Sequence, residues 1–236
     1  FNEIYSADED ITGKLSISRT KNMTWEEQTE DYFSKNGLIK SSDSLCLGRC
    51  NVPGVPDSYL YIPTSVVTKA MRIPNGSKSA HSLTKENIAN LYDSINSAPA
   101  TIHNPERNAI IFITSDTDSD GRPIIAVFSL NNDLYGEQGH KAVSIYGREN
   151  INGFLERLNQ NATMFVKNEN ALNSLLSGNQ ILRSLERLAN VEHVDKTVAE
   201  NSQPVNSKYS MSGINAHNAN MSALSDAKNM LADGAS

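Results

Sequence analysis

Cysteine is nearly absent from this chain: Cys46 and Cys50 sit four apart, with no second pair and no nearby histidine. That speaks against a zinc site and leaves two buried or free thiols, as expected in a reducing compartment. Long apolar runs are missing too. None approaches the ~20 residues that span a bilayer, and no secretory signal is legible, so no membrane partner is expected. The chain opens on Phe1 rather than Met, which reads as a processed piece or a fragment of a longer polypeptide. Excess positive charge is lacking, with 21 Lys and Arg against 27 Asp and Glu and a net charge of −6. The resulting pI near 5.4 excludes a generally basic nucleic-acid coat while leaving room for a local basic groove. Hydrophobic residues make up 38% of 236 positions and mean hydropathy is −0.44. This fits one domain with poorly ordered appendages, or one domain and a small second one.

What is present centres on residues 140–158, HKAVSIYGRENINGFLERL. Ala142, Ser144 and Tyr146 alternate with Val143 and Ile145, a strand signal of β-branched and aromatic residues. Gly147 breaks it. After Arg148 and Glu149, Asn150 can cap a helix whose apolar positions Ile151, Phe154, Leu155 and Leu158 recur at helical spacing. With Arg148 beside free N–H groups at the helix start, this corner can hold an anion such as phosphate. The plainer reading is an ordinary strand-to-helix corner with a solvated arginine.

Around it the elements fall in order. Residues 1–22 form a loose N-terminal arm with only Ile11, Leu15 and Ile17 to bury. Thr24, three before Glu27, has capping-box spacing for a short helix over 23–33 that packs Trp25, Tyr32 and Phe33. Residues 34–58 read as a Gly- and Pro-rich meander around Leu45-Cys46-Leu47. Tyr59–Ile62 reads as a short strand stopped by Pro63, and Thr64 or Ser65 caps a helical turn over 66–71. Lys78 and His81 stand just before an amphipathic helix over 83–97. Ala109–Thr114 and 122–130 form a hairpin around SDTDSDG. That turn is similar to part of a calcium loop, but the twelfth position is Val127 and lacks the bidentate acid, so a polar turn is expected. Thr163–Lys167 is a fourth strand, and 171–188 is an amphipathic helix. Past Val191 the periodicity decays into a Ser-, Asn- and Ala-rich tail over 191–236.

The order predicts an α+β fold: helices packed on a short antiparallel sheet of about four strands, with a flexible C-terminal tail. Ile111, Ile113, Ile125, Val127, Val143 and Ile145 are the expected apolar surface of that sheet.

MTWEEQ (23–28), SSDSLCLG (41–48), LYIPTS (60–65), HSLTKENIANL (81–91), DSDGRPIIAVFS (118–129), VSIYGRENINGFL (143–155) and LLSGNQI (175–181) follow one another as in the phage MuF C-terminal domain, which residues 23–190 resemble. That family is similar to the nuclease superfold of barnase, EndoU, certain colicins and RelE. It occurs in MuF-type head proteins and in polyvalent proteins of phages. The resemblance implies a toxin or effector that cleaves RNA without metal or cofactor, by attack of the 2′-OH on phosphate. It implies RNA as partner (host transcripts or tRNA), together with phage head or portal proteins and an immunity protein. It also implies residence in the virion and delivery to the bacterial host cytoplasm.

Such chemistry needs a base near neutrality, a donor for the leaving oxygen and cations around the phosphorane. His81 is the acid–base candidate. Ser144 and Tyr146 are donors, Arg148 stabilises charge, and Lys78 helps. The other histidines, His103, His140, His193 and His217, are less well placed. The family's lysines and serine after the fourth strand are here Lys167-Asn168-Glu169-Asn170, leaving Lys167 as a phosphate contact in a less basic region. The rival reading is a catalytically degenerate virion cargo or head-associated interaction protein.

Overall fold

A computed structural model describes residues 17–72, 82–134, 136–158, 161–175 and 190–193. Lys78, His81, most of the N-terminal arm, residues 176–189 of the expected long helix and the tail from 194 lie outside the described residues.

Eight strands form one mixed sheet: β1 (Ser44–Arg49), β2 (Tyr59–Pro63), β3 (Ala100–Asn104), β4 (Ala109–Thr117), β5 (Pro123–Leu134), β6 (Glu137–Gly147), β7 (Thr163–Val166) and β8 (Asn190–His193). Their spatial order is β1-β2-β6-β5-β4-β3-β7-β8. The β2–β6 and β7–β8 pairs are parallel and the others antiparallel. The helices are α1 (Trp25–Phe33), α2 (Thr64–Ala70), α3 (Lys85–Ala89), α4 (Leu91–Asn96), α5 (Ile151–Leu155) and α6 (Glu169–Leu175).

This corrects the expected four-stranded antiparallel sheet. The hairpin 109–130 and the strand at 141–146 are central neighbours, but β7 is separated from them by β3, a five-residue strand (ATIHN) too short and mixed to announce itself. The sheet is also covered on both faces. On one, Ile110, Phe112, Ala126, Phe128, Ala142 and Ile145 bury against Trp25, Val67, Ile88, Leu91 and Ile95 from α1–α4. On the other, Ile111, Ile113, Ile125 and Met164 pack under Ile151 and Leu155 of α5 and Leu172 of α6. A smaller cluster of Ile17, Cys46, Tyr61 and Leu134 covers the β1–β2 end of that second face. A sheet packed on both sides explains why β4 reads as an unbroken apolar run.

Two residues of the first helix tie it to the rest of the fold, one to the helices and one to the sheet's edge. Thr24 and Glu27 form the expected capping box. The Trp25 indole N–H donates to the carbonyls of Ile88 (3.1 Å) and Ala89 (2.9 Å), at the point where the expected 83–97 helix splits into α3 and α4. Gln28, wholly buried, accepts the Cys46 N–H through Oε1 (2.7 Å) and donates to the Cys46 carbonyl through Nε2 (2.9 Å). Its amide thus stands in for a ninth strand along β1, which takes the place of the expected meander.

Among the register shifts of the sheet, one in β6 decides which side chains face the site. Val127 pairs with Ser144 but Phe128 with Ala142, so Val143 bulges out of register and is 48% exposed. Val143 therefore does not belong to the sheet's apolar surface, contrary to the expectation from sequence, because the extra residue of a bulge is pushed out of the pleat.

Candidate functional site

The bulge creates the site's geometry. Beyond it Ala142 and Ile145 both face α1–α4, so Lys141, Ser144 and Tyr146 turn together to the second face. Lys141 pairs there with Tyr61 and Ser144 with Val127. Between the cluster under α5 and the cluster around Tyr61, this face thus carries a half-buried polar row along β6. Arg148 continues the row at the strand's exit.

That exit is locked by the β4–β5 turn. The Asp118 carboxylate, fully buried, accepts from the backbone N–H groups of Asp120 (3.0 Å) and Arg122 (2.9 Å) and from Arg122 Nε (2.8 Å). It lies flat against Gly147, where an added Cβ would stand 1.9 Å from Asp118 Oδ2. Glycine is required here by close approach of a buried carboxylate, not by a phosphate-cradling turn. The Arg148 N–H then donates to the Pro123 carbonyl (2.7 Å), and its guanidinium lies over the Phe154 ring, 5.3 Å from the centroid. Asn150 caps α5 as expected, accepting the Gly153 N–H at 2.6 Å, so that amide is committed within the chain.

Ser144, Tyr146 and Arg148 are therefore neighbours along one strand end. His81 and Lys78 lie outside the described residues, but the chain resumes at Ser82, whose carbonyl accepts the Ser119 N–H (3.3 Å) in the turn that packs on Gly147. Lys167 is elsewhere. Three strands separate β7 from β6, about 19 Å at ordinary strand spacing, and its ammonium donates to the Asn96 carbonyl (2.6 Å).

His140 has a structural role. Wholly buried, it accepts the Asn131 N–H at Nδ1 (3.3 Å) and meets the Pro56 carbonyl at Nε2 (2.8 Å). These partners require the neutral Nε2–H tautomer. Burial holds its pKa below the ordinary value, partly offset by the Pro56 carbonyl and Asp57. His103 is lowered by burial as well. Because the folded state resists protonation, stability is complete above pH ~6.5 and falls as the pH drops toward the lowered folded values. Denaturant titrations at pH 7.5 and 5.5 should show the loss, and His140→Gln should flatten it.

Among the described residues no group of three or more His, Cys, Asp or Glu is placed to hold a metal. Asp116 is engaged with Ser94, and Asp118 with its own turn, so the calcium-like run closes a hairpin. Cys46 and Cys50 are buried free thiols whose pKa values burial pushes up to about 12. No described helix is long and apolar enough to cross a membrane.

Sequence reading misses Lys141 and the Asp118–Arg122 clamp. Simple alternation puts Lys141 opposite Ser144, and only the bulge reverses it. The clamp's signal is the Asp–x–x–x–Arg spacing, which a polar turn explains equally well without a contact to Gly147.

No curated protein and no solved structure matches the chain. Residues 72–172, the stretch that contains Lys141, Ser144, Tyr146, Arg148 and the Asp118 clamp, match the family described as the phage MuF C-terminal domain.

Proposed function

We propose that this chain is a phage-borne, metal-independent endoribonuclease of the barnase-like superfold, carried in the virion and acting in the host cytoplasm. The observation that carries the reading is the polar row Ser144, Tyr146 and Arg148 on a sheet face otherwise packed with apolar side chains. Ser82, the residue that follows His81 in sequence, accepts the Ser119 N–H in the turn whose Asp118 packs on Gly147. In this reading His81 takes the 2′-OH proton, the 2′ oxygen attacks phosphorus, and the 5′ oxygen leaves and is reprotonated. Arg148 and the hydroxyls of Ser144 and Tyr146 stabilise the charge on the phosphorane oxygens. The products end in 2′,3′-cyclic phosphate and 5′-OH.

Purified chain incubated with mixed RNA should yield those ends, at a rate EDTA leaves unchanged. RNA left intact, or cleavage abolished by chelator, overturns the reading. One observation favours the alternative of a non-catalytic cargo or head-associated protein. Around the corner, the cations Arg122 and Arg148 are matched by the carboxylates of Asp118, Asp120 and Glu149, a balance that does little to attract a polyanion. Retention on phage head proteins, with RNA untouched, would support that alternative.

A further inference from the structure

Two arginines meet at the exit of β6, and the structure gives them different tasks. Arg122 is spent inside the protein. Its Nε donates to Asp118 Oδ2 (2.8 Å), its Nη2 lies 2.7 Å from the same oxygen, and it also ion-pairs with Asp120. Arg148 ion-pairs with no carboxylate among the described residues, and its guanidinium rests on the Phe154 ring. A planar cation that is stacked but not neutralised can turn its N–H fork to a phosphate, and where that fork points then decides its worth.

Asp118 touches both sides of the Arg148 anchor. Its Oδ1 accepts the N–H of Arg122 (2.9 Å), the residue before Pro123, and the Pro123 carbonyl holds the Arg148 N–H (2.7 Å). Its Oδ2 lies against Gly147, the residue before Arg148, and leaves no room there for a Cβ. The side chain is fully buried, so the carboxylate faces no ligand itself. A buried charge depends on keeping all its partners, which ties the start of β5 and the end of β6 to one group. We propose that Asp118 is a positioning residue for Arg148, setting where the guanidinium meets phosphate through Gly147 on one strand and Pro123 on the other. The proposal rests on the ribonuclease reading and extends it: a carboxylate that would repel RNA at the surface serves cleavage from inside the fold.

The test is a double-mutant cycle on RNA cleavage by the full chain, read as kcat/KM well below the unfolding temperature. In Asp118→Asn, whichever way the amide turns, an N–H₂ group faces donors that need an acceptor. That variant should lower kcat/KM by about 10–10²-fold, the scale of a misplaced catalytic group. Arg148→Ala should cost about 10²–10³-fold. Adding Asp118→Asn to it should cost less than about twofold more, because the group being positioned is gone. Amide exchange at Arg148 should quicken in Asp118→Asn. Arg122→Lys keeps a charge beside the carboxylate but not the planar fork. It should show the same pattern with a smaller loss, and it carries the cycle if Asp118→Asn does not fold. Equal losses with and without Arg148 would assign Asp118 to general stability and overturn the proposal, as would unchanged exchange at Arg148. Full activity in both Asp118→Asn and Arg122→Lys would overturn it while leaving the ribonuclease reading intact. An unmodified chain that leaves RNA uncut removes that reading, and the positioning role with it.

Discussion

Gln28→Ala should lower the free energy of unfolding by about 3–5 kcal/mol. The substitution leaves the N–H and carbonyl of Cys46, itself 3% exposed, without the partners now at 2.7 and 2.9 Å. Each buried backbone group so orphaned costs about 1–3 kcal/mol, and the missing side-chain volume adds a cavity. The Met23 carbonyl also loses its bond from Nε2 (3.1 Å). Gln28→Glu keeps an acceptor for the Cys46 N–H but has no donor for the carbonyl and buries a charge, so it should not rescue. Urea titration of the three proteins measures the loss. Amide exchange at Cys46 locates it, because an uncovered edge opens before the rest of the sheet. A change below ~1 kcal/mol for Gln28→Ala would show that the amide is dispensable.

His81→Ala should reduce RNA cleavage by about 10²–10⁴-fold, the usual contribution of a positioned proton-transfer group. Arg148→Lys should also be damaging. Lysine cannot present two parallel N–H groups to phosphate, and it loses the planar contact with Phe154 that now orients the guanidinium. The two defects should differ in kind. His81→Ala should remove the pH dependence of kcat with little effect on RNA affinity, whereas Arg148→Lys should weaken binding and steepen with salt. Full activity in His81→Ala would remove the acid–base assignment even if the chain proves to be a ribonuclease.

Much of the site's local chemistry is legible in the residues themselves. The strand ending at Tyr146, the break at Gly147, the cap at Asn150 and the arginine between them are short-range signals. Which strands lie beside them is not legible. Lys167 reads as a phosphate contact because its strand follows the corner closely in sequence, yet β3, β4 and β5 intervene in space. Lys141 escapes notice for the opposite reason: it is close in both senses, but one bulged residue decides which face it occupies.

The sequence by itself determined those features whose partners lie within a few residues: the Thr24–Glu27 capping box, the Asn150 cap and the hairpin between Ala109 and Leu130. Each satisfies backbone donors and acceptors locally, so the residue pattern alone specifies it. Only the tertiary structure decided the rest. β1 is a strand because a glutamine eighteen residues away completes its edge. β3 enters the sheet because β4 and β7 offer it hydrogen bonds on both sides. Gly147 is glycine because a carboxylate from another turn needs the space. In each case the deciding group is distant in the chain, and short, mixed segments have no intrinsic preference strong enough to declare themselves without it.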